Sequence, residues 1–248
     1  VSVQVLTGTS GFSYDEWKGN FYPEKMAAKD RLAYYARQFP TVEINNTFYR
    51  MPKEELLQGW AAQVPPDFRF AIKASKRITH DRRLKDCGEL VTYLVRVAST
   101  LGPRLGPLLF QLPPNFKKDV PRLEAFLAEM PERRRVAIEF RHASWFDDEV
   151  YETLRGEGAA LCVADTGEEP AAPLVATTDW GYLRLRREEF SDQELSDWAR
   201  RIHEQPWTDA FVFLKHEEEG KGPKLAARLA ALCSDPGARR RREERGSP

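Results

Sequence analysis

Cysteine is scarce in this chain of 248 residues: Cys87, Cys162 and Cys233 stand far apart, odd in number and without a CxxC pair. That removes the usual signs of a disulfide framework and argues for reduced thiols in a cytoplasmic setting. The four histidines, His80, His142, His203 and His216, show no HxxxH or similar ligand spacing, so no zinc-type site is indicated. A surplus of one charge is also missing. Lysine plus arginine and aspartate plus glutamate number 38 each, which leaves no global field for nucleic acid or an anionic membrane. No apolar run reaches the roughly 18 residues of a membrane span, and the first residues lack the basic-then-apolar pattern of a signal peptide. The expectation is a soluble cytoplasmic protein with no membrane partner. No internal repeat at solenoid period is found.

What the chain does have is a series of short apolar runs, each closed by a polar side chain. They read Val42-Glu43-Ile44-Asn45, Phe70-Ala71-Ile72-Lys73, Leu108-Leu109-Phe110-Gln111, Val136-Ala137-Ile138-Glu139, Leu161-Cys162-Val163-Ala164-Asp165, Tyr182-Leu183-Arg184 and Phe211-Val212-Phe213-Leu214-Lys215. Runs rich in Val, Ile, Leu and Phe are what parallel strands buried on both faces look like. With Val3 to Thr7 they make eight strands, and amphipathic helical stretches separate them. Asp30, Pro52, Asp119, Ser191 with Glu194, and Gly222-Pro223 mark helix starts, while Gly102 and Gly156 mark stops. The alternation predicts an α/β fold with a parallel sheet, an eight-unit (β/α) barrel as a single domain over residues 1–235. Unit six is irregular: Gly167 to Pro173 looks like a loop in place of a helix, and Leu174 to Thr177 like a short extended piece. Residues 236–248, with Arg239 to Arg242, read as a disordered basic tail.

In a closed barrel the polar strand ends ring one mouth, the face on which barrel enzymes carry their sites. Glu43, Lys73, Gln111, Glu139, Asp165, Arg184 and Lys215 then surround one cavity. Asn45, Arg141 and Arg186 follow two residues later on the same faces. Ionised groups out of water cost several kcal/mol each unless compensated, so such a ring is a poor route to stability and a natural way to build a site. Glu43 and Glu139 are the candidate acid and base, on the expectation that their surroundings keep one protonated and the other ionised. Lys73 and Lys215 are eligible for Schiff-base chemistry, with an ion-pair role as the alternative. Asp165 either binds ligand or orients a cation. Cofactors are unknown and none is implied, although Glu43, Glu139 and Asp165 could hold an oxygen-ligated divalent metal. Gly220, Lys221 and Gly222 before the last helix resemble a phosphate cradle, which the neighbouring glutamates oppose. Tyr14, Tyr49 and Trp145 are the aromatics with polar tips or large faces suited to stacking on a sugar or base, with loop packing over the barrel as the alternative use. The hydroxyl-rich Thr7-Gly8-Thr9-Ser10-Gly11 matches neither GxGxxG nor GxxxxGKS/T and reads equally as a weak phosphate-binding segment or a tight turn.

Five ordered motifs go further. Gly8-Thr9-Ser10-Gly11-Phe12-Ser13-Tyr14 with Trp17, Val42-Glu43-Ile44-Asn45-Asn46-Thr47-Phe48-Tyr49-Arg50-Met51-Pro52, Phe68-Arg69-Phe70-Ala71-Ile72-Lys73 with Thr79-His80, Phe110-Gln111-Leu112-Pro113-Pro114-Asn115-Phe116 and Glu139-Phe140-Arg141-His142-Ala143-Ser144-Trp145 closely resemble the YecE-like family, a domain of unknown function (DUF72). The resemblance implies a barrel of the triosephosphate isomerase (TIM) type and no particular activity. Two segments depart from it. Arg186-Arg187 stands where many members carry His-Gly, and Lys215-His216-Glu217 replaces a Phe-Asn-Asn-like stretch, so the chain resembles a distinct subgroup.

The functional expectation is an enzyme of hydrolase or lyase type. It acts by acid-base chemistry on an anionic or hydroxylated small molecule, such as a sugar phosphate or nucleoside derivative. Catalysis falls to Glu43, Glu139 and Lys73, and substrate binding to Asn45, Tyr49, Gln111, Arg141, Trp145, Asp165, Arg184 and Lys215. Two alternatives stay open: a nucleic-acid-binding or repair protein using the same mouth, and a non-catalytic scaffold whose charged interior is structural.

Overall fold

A computed structural model describes residues 2–130, 134–216 and 218–234. Eight parallel strands alternate with helices in the order β1 (Gln4–Ser10), α1 (Arg31–Tyr35), β2 (Thr41–Ile44), α2 (Glu54–Ala61), β3 (Arg69–Lys73), α3 (Gly88–Ala98), β4 (Leu105–Gln111), α4 (Val120–Ala128), β5 (Val136–Glu139), α5 (Asp148–Gly156), β6 (Ala159–Asp165), β7 (Trp180–Leu185), α6 (Asp192–His203), β8 (Asp209–Leu214) and α7 (Lys221–Ser234). Each strand pairs with the next, and β8 closes on β1 from Gln4↔Asp209 to Thr9↔Leu214. The result is a closed, TIM-like eight-stranded barrel. The basic tail expected at 236–248, and Glu217 in the loop after β8, lie outside the described residues.

The helices begin where local chemistry lets them. Asp119 accepts from the Arg122 amide at 3.2 Å and Asp147 from the Val150 amide at 3.1 Å. Ser191 and Glu194 form a reciprocal capping box, with Glu194 accepting from the Ser191 amide at 2.8 Å. Between β6 and β7, residues 166–179 contain no helix, as expected, and residues 174–177 form no strand. Thr177 pins this segment to the barrel floor, accepting from Leu161 N at 2.9 Å and donating to Ala159 O at 2.8 Å.

Two apolar layers result from strand alternation. One lies between sheet and helices, and the smaller one fills the barrel. Inside, Ala71, Ala137 and Ala160 on β3, β5 and β6 face Trp180, Tyr182, Phe211 and Phe213 on β7 and β8. Small residues on one side make room for large rings from the other, so the barrel is a packed core up to the level of the polar strand ends.

The stretch expected as a turn at residues 7–11 is instead the end of β1, which runs to Ser10. Extension by this amount turns the Ser10 side chain inward and brings the Gly11 amide to Glu43 O at 2.7 Å. It also requires Gly8, where a Cβ would stand 2.1 Å from Thr41 O. Gly8→Ala is therefore expected to lower unfolding free energy by about 1–3 kcal/mol through forced strand separation. Gly156→Ala, where a Cβ meets nothing within 4 Å, should be neutral or mildly stabilising. Urea unfolding of the two variants checks the pair, and equal midpoints would contradict this packing.

Candidate functional site

The C-terminal strand ends converge on a buried charge layer. Glu43 from β2 and Glu139 from β5 are both fully buried, and Arg184 from β7 is buried between them. Arg184 Nη2 donates to Glu43 Oε1 at 2.8 Å and Nη1 to Glu139 Oε2 at 2.5 Å. Further donors complete each carboxylate. Glu43 accepts from Ser10 Oγ at 2.7 Å, Tyr182 Oη at 2.7 Å and Asn45 Nδ2 at 3.1 Å. Glu139 accepts from Gln111 Nε2 at 2.7 Å and from Arg141 Nη1 at 3.4 Å. Gln111 then passes the chain outward, its Oε1 accepting from Lys73 Nζ at 2.9 Å.

Burial is the largest influence on each glutamate and by itself would raise its pKa. Arg184 and the donated hydrogen bonds outweigh it, so Glu43 is held below the usual 4.5 and Glu139 is pulled down to about 2. The environment thus keeps both carboxylates ionised instead of dividing them into an acid and a base. Lys73 moves the other way. Burial first, then Arg184, bring its amine down to about 8 against the attraction of Glu139 and Glu43. The Lys73 ammonium sits 4.1 Å from the Phe48 ring centroid, a cation–π contact.

A cavity of about 930 Å³ opens over this layer. Lys73, Gln111, Arg141 and Arg186 line it alongside Phe48, His80, Lys215 and His216, and Tyr49 stands at its edge with 77% of its surface exposed. Exposed Lys76, Asp81, Glu168, Glu188 and Glu218 lie toward solvent. The Arg186 guanidinium is half-buried and, among the described residues, makes no ion pair or side-chain hydrogen bond. Burial and then Arg184 pull it below the ordinary arginine value. Lys221 also lines the cavity, but the Gly222 amide at the start of α7 already donates to His216 O at 3.2 Å, which weakens the cradle reading.

Of the residues expected from sequence, Glu43, Asn45, Lys73, Gln111, Glu139, Arg141 and Arg184 form one connected network, and Tyr49 and Lys215 line the same cavity. Two do not join it. On β6 it is Ala164 that registers with inward Arg184, so Asp165 points outward, where it meets Arg187 Nε at 3.0 Å and Trp198 Nε1 at 3.2 Å. It can neither bind ligand in this cavity nor share a metal with the two glutamates. Trp145 is fully buried, stacked on Phe140 at 4.6 Å with its Nε1 donating to Phe116 O at 2.6 Å, and offers no face to a ligand. Among the described residues no group of three His, Cys, Asp or Glu side chains is placed to hold a metal ion.

His80 went unrecognised as a site residue. It lies in a five-residue π-helical turn, Arg77–Asp81, in the loop after β3, with its ring edge-on to Phe48 at 5.0 Å and its Nδ1 2.9 Å from Thr79 Oγ1. Burial, then Lys73, lower its pKa and favour the neutral imidazole. The available signal was its place in the Thr79-His80 motif after a strand end; π-turns concentrate at functional sites.

Because both glutamates have folded pKa values below their unfolded ones, the stability they confer is complete above 4.5 and is lost as pH falls toward the folded values. Arg184→Met leaves two buried carboxylates without their cation and is expected to cost about 3–5 kcal/mol at neutral pH. Adding Glu43→Gln and Glu139→Gln to that variant should restore most of the loss. Urea unfolding at neutral pH measures both steps, and an undiminished midpoint for Arg184→Met would contradict the pairing.

Comparison with known proteins places this geometry. The family described as "Protein of unknown function DUF72" matches residues 6–246. UPF0759 protein YecE of Escherichia coli (strain K12) is 39% identical over 116 residues, 46% of this chain and 43% of that protein, so the match spans less than half the relative's length. UPF0759 protein YunF of Bacillus subtilis (strain 168) is 27% identical over 242 residues, covering 81% of this chain and 86% of that protein. The crystal structure of a DUF72 family protein from Thermotoga maritima MSB8 is 30% identical and superposes with a TM-score of 0.85, over 94% of this chain and 100% of that one. With a family match over nearly its whole length and a barrel shared with a solved member, the chain belongs to the DUF72 family.

Proposed function

We propose that the chain is an enzyme performing acid-base chemistry on a small anionic molecule, such as a phosphorylated or carboxylated hydroxy compound, in the cavity at the C-terminal mouth of the barrel. The observation that carries this reading is Arg186, a half-buried guanidinium facing the cavity that makes no ion pair or side-chain hydrogen bond among the described residues and feels Glu139 and Glu43 only at longer range. Two buried carboxylates stand against four cations here, Arg184 and Arg141 in direct ion pairs with them and Lys73 and Arg186 outside ion-pair distance, so the floor has a positive excess. A desolvated positive floor is electrostatic binding energy prepared in advance for an anion.

In this reading Arg186, Arg141 and Lys215 hold the anionic group, and the exposed Tyr49 ring offers an apolar face to the rest of the molecule. Lys73 and His80 exchange protons with it. The Lys73 amine, near 8, is poised to give up or take a proton at near-neutral pH, and His80, kept as the neutral imidazole by burial and by Lys73, offers a proton acceptor beside it; the clamped glutamates offer neither. Glu43 and Glu139 act one layer down, fixing Arg184 and Gln111 and through Gln111 the lysine. The exposed carboxylates Asp81, Glu168, Glu188 and Glu218 around the opening favour a small anion over a nucleic-acid backbone, whose neighbouring phosphates they would repel.

Inorganic phosphate at constant ionic strength should raise the melting temperature of the wild-type protein. Saturation at about 100 times the dissociation constant corresponds to about 2.7 kcal/mol. Arg186→Ala is expected to lose most of that increase while folding normally. A panel of phosphorylated and carboxylated metabolites in deuterated water, followed by proton NMR, then tests turnover: exchange seen with wild type should vanish in Lys73→Met. No stabilisation by any anion of the panel, together with no exchange, would remove the proposal.

A further inference from the structure

Lys73 is placed for more than proton transfer. Among the described residues no carboxylate lies within ion-pair distance of its Nζ. The amine is oriented by a neutral acceptor, Gln111 Oε1 at 2.9 Å, and lies over the Phe48 face. It is 8% exposed yet lines the cavity, so it meets a bound molecule while bulk water is largely kept from it. A lysine used only as a structural cation would pair with Glu139. Here that carboxylate is already saturated by Arg184, Gln111 and Arg141.

We infer that Lys73 condenses with a carbonyl compound carrying an anionic group, a 2-oxo acid or a phosphorylated aldehyde or ketone, to form an iminium. The inference rests on the anion site proposed above, since Arg141 and Arg186 would hold the charged group while the carbonyl carbon meets Nζ. Neutral Nζ attacks that carbon, a C–N bond forms, and the carbonyl π pair moves to oxygen, which takes a proton. Nitrogen then releases a proton to give the neutral carbinolamine, that proton is returned to the hydroxyl oxygen, and the nitrogen lone pair forms the C=N bond as the C–O bond breaks and the oxygen leaves as water. In sum, ammonium plus carbonyl gives iminium plus water, with no oxidant or reductant required.

Three features suit this sequence. The lowered amine pKa supplies the neutral nucleophile at near-neutral pH. The product keeps its positive charge on the same nitrogen, so the Phe48 face and the field of Glu139 and Glu43 stabilise it as they do the ammonium. His80, neutral and edge-on to the same Phe48 ring, is the nearby group able to carry the two protons.

The test is reductive trapping on the full chain. Protein is incubated separately with glyoxylate, pyruvate and dihydroxyacetone phosphate in the presence of cyanoborohydride, and every lysine is mapped by peptide mass spectrometry. Labelling at Lys73 should exceed that at Lys76 and Lys221 by about tenfold or more and be suppressed by inorganic phosphate. Arg186→Ala should reduce it. Preference for the 2-oxo acids or for the phosphorylated ketone distinguishes the two sources of the anionic group. Site mapping on wild-type protein makes the result independent of whether Lys73→Arg folds. Labelling of Lys73 no greater than that of the exposed lysines would overturn the inference. If phosphate or another anion of the panel still stabilises the protein in that case, the anion site survives and only the covalent step fails; if no anion stabilises it and no exchange is seen, both readings fail together.

Discussion

A single guanidinium sets the character of this barrel. Arg184 reaches from β7 to carboxylates on β2 and β5, and both of those carboxylates are otherwise cut off from water. Placing three ions in a protein interior is costly, and their mutual attraction repays the cost only when geometry and additional hydrogen bonds are favourable. The additional bonds are present: Ser10, Tyr182 and Asn45 complete Glu43, while Gln111 and Arg141 complete Glu139. The layer joins strands from across the barrel and caps the apolar interior formed by the alanines and rings below it. It also leaves Lys73 and Arg186 above it without a carboxylate of their own among the described residues.

That division of labour explains why the chemistry is assigned to the cavity rather than to the most buried charges. Glu43 and Glu139 look at first like an acid-base pair, but their pKa values are pulled in the same direction by the same cation. Groups able to exchange protons lie one level further out, around the Phe48 ring: the Lys73 amine, brought down to about 8, over the ring and the neutral His80 imidazole edge-on to it. The buried layer holds these groups in place and supplies their field.

Much of the barrel was legible in the chain because parallel strands buried on both faces leave continuous apolar runs, and each run ends where the polar mouth begins. The family resemblance and the irregular sixth unit were legible too, the latter from the Gly, Pro and Ala between residues 167 and 173. What failed was parity and depth. A one-residue offset at the end of β6 puts Ala164 inside and Asp165 outside, and no apolar pattern in an all-buried strand marks which is which. Trp145 follows a strand end like Arg141, yet a helical turn folds it under its own loop, where Phe116 and Phe140 enclose it. His80 was hidden for the opposite reason: it sits seven residues beyond β3, and only the π-turn brings it back over the mouth. Ser10 was read as a turn residue because β1 is longer than its apolar run.

Arg184 keeps both buried glutamates ionised, and the cavity floor is positive as a result. Carbon-13 NMR of glutamate side chains, with Glu43 and Glu139 assigned through Gln variants, measures this directly. Both residues are expected to titrate with midpoints below the ordinary 4.5 and to keep carboxylate shifts that stay flat through the neutral range. A titration midpoint for either residue at about pH 6 or above, where a desolvated carboxyl without an effective cation would titrate, would contradict it.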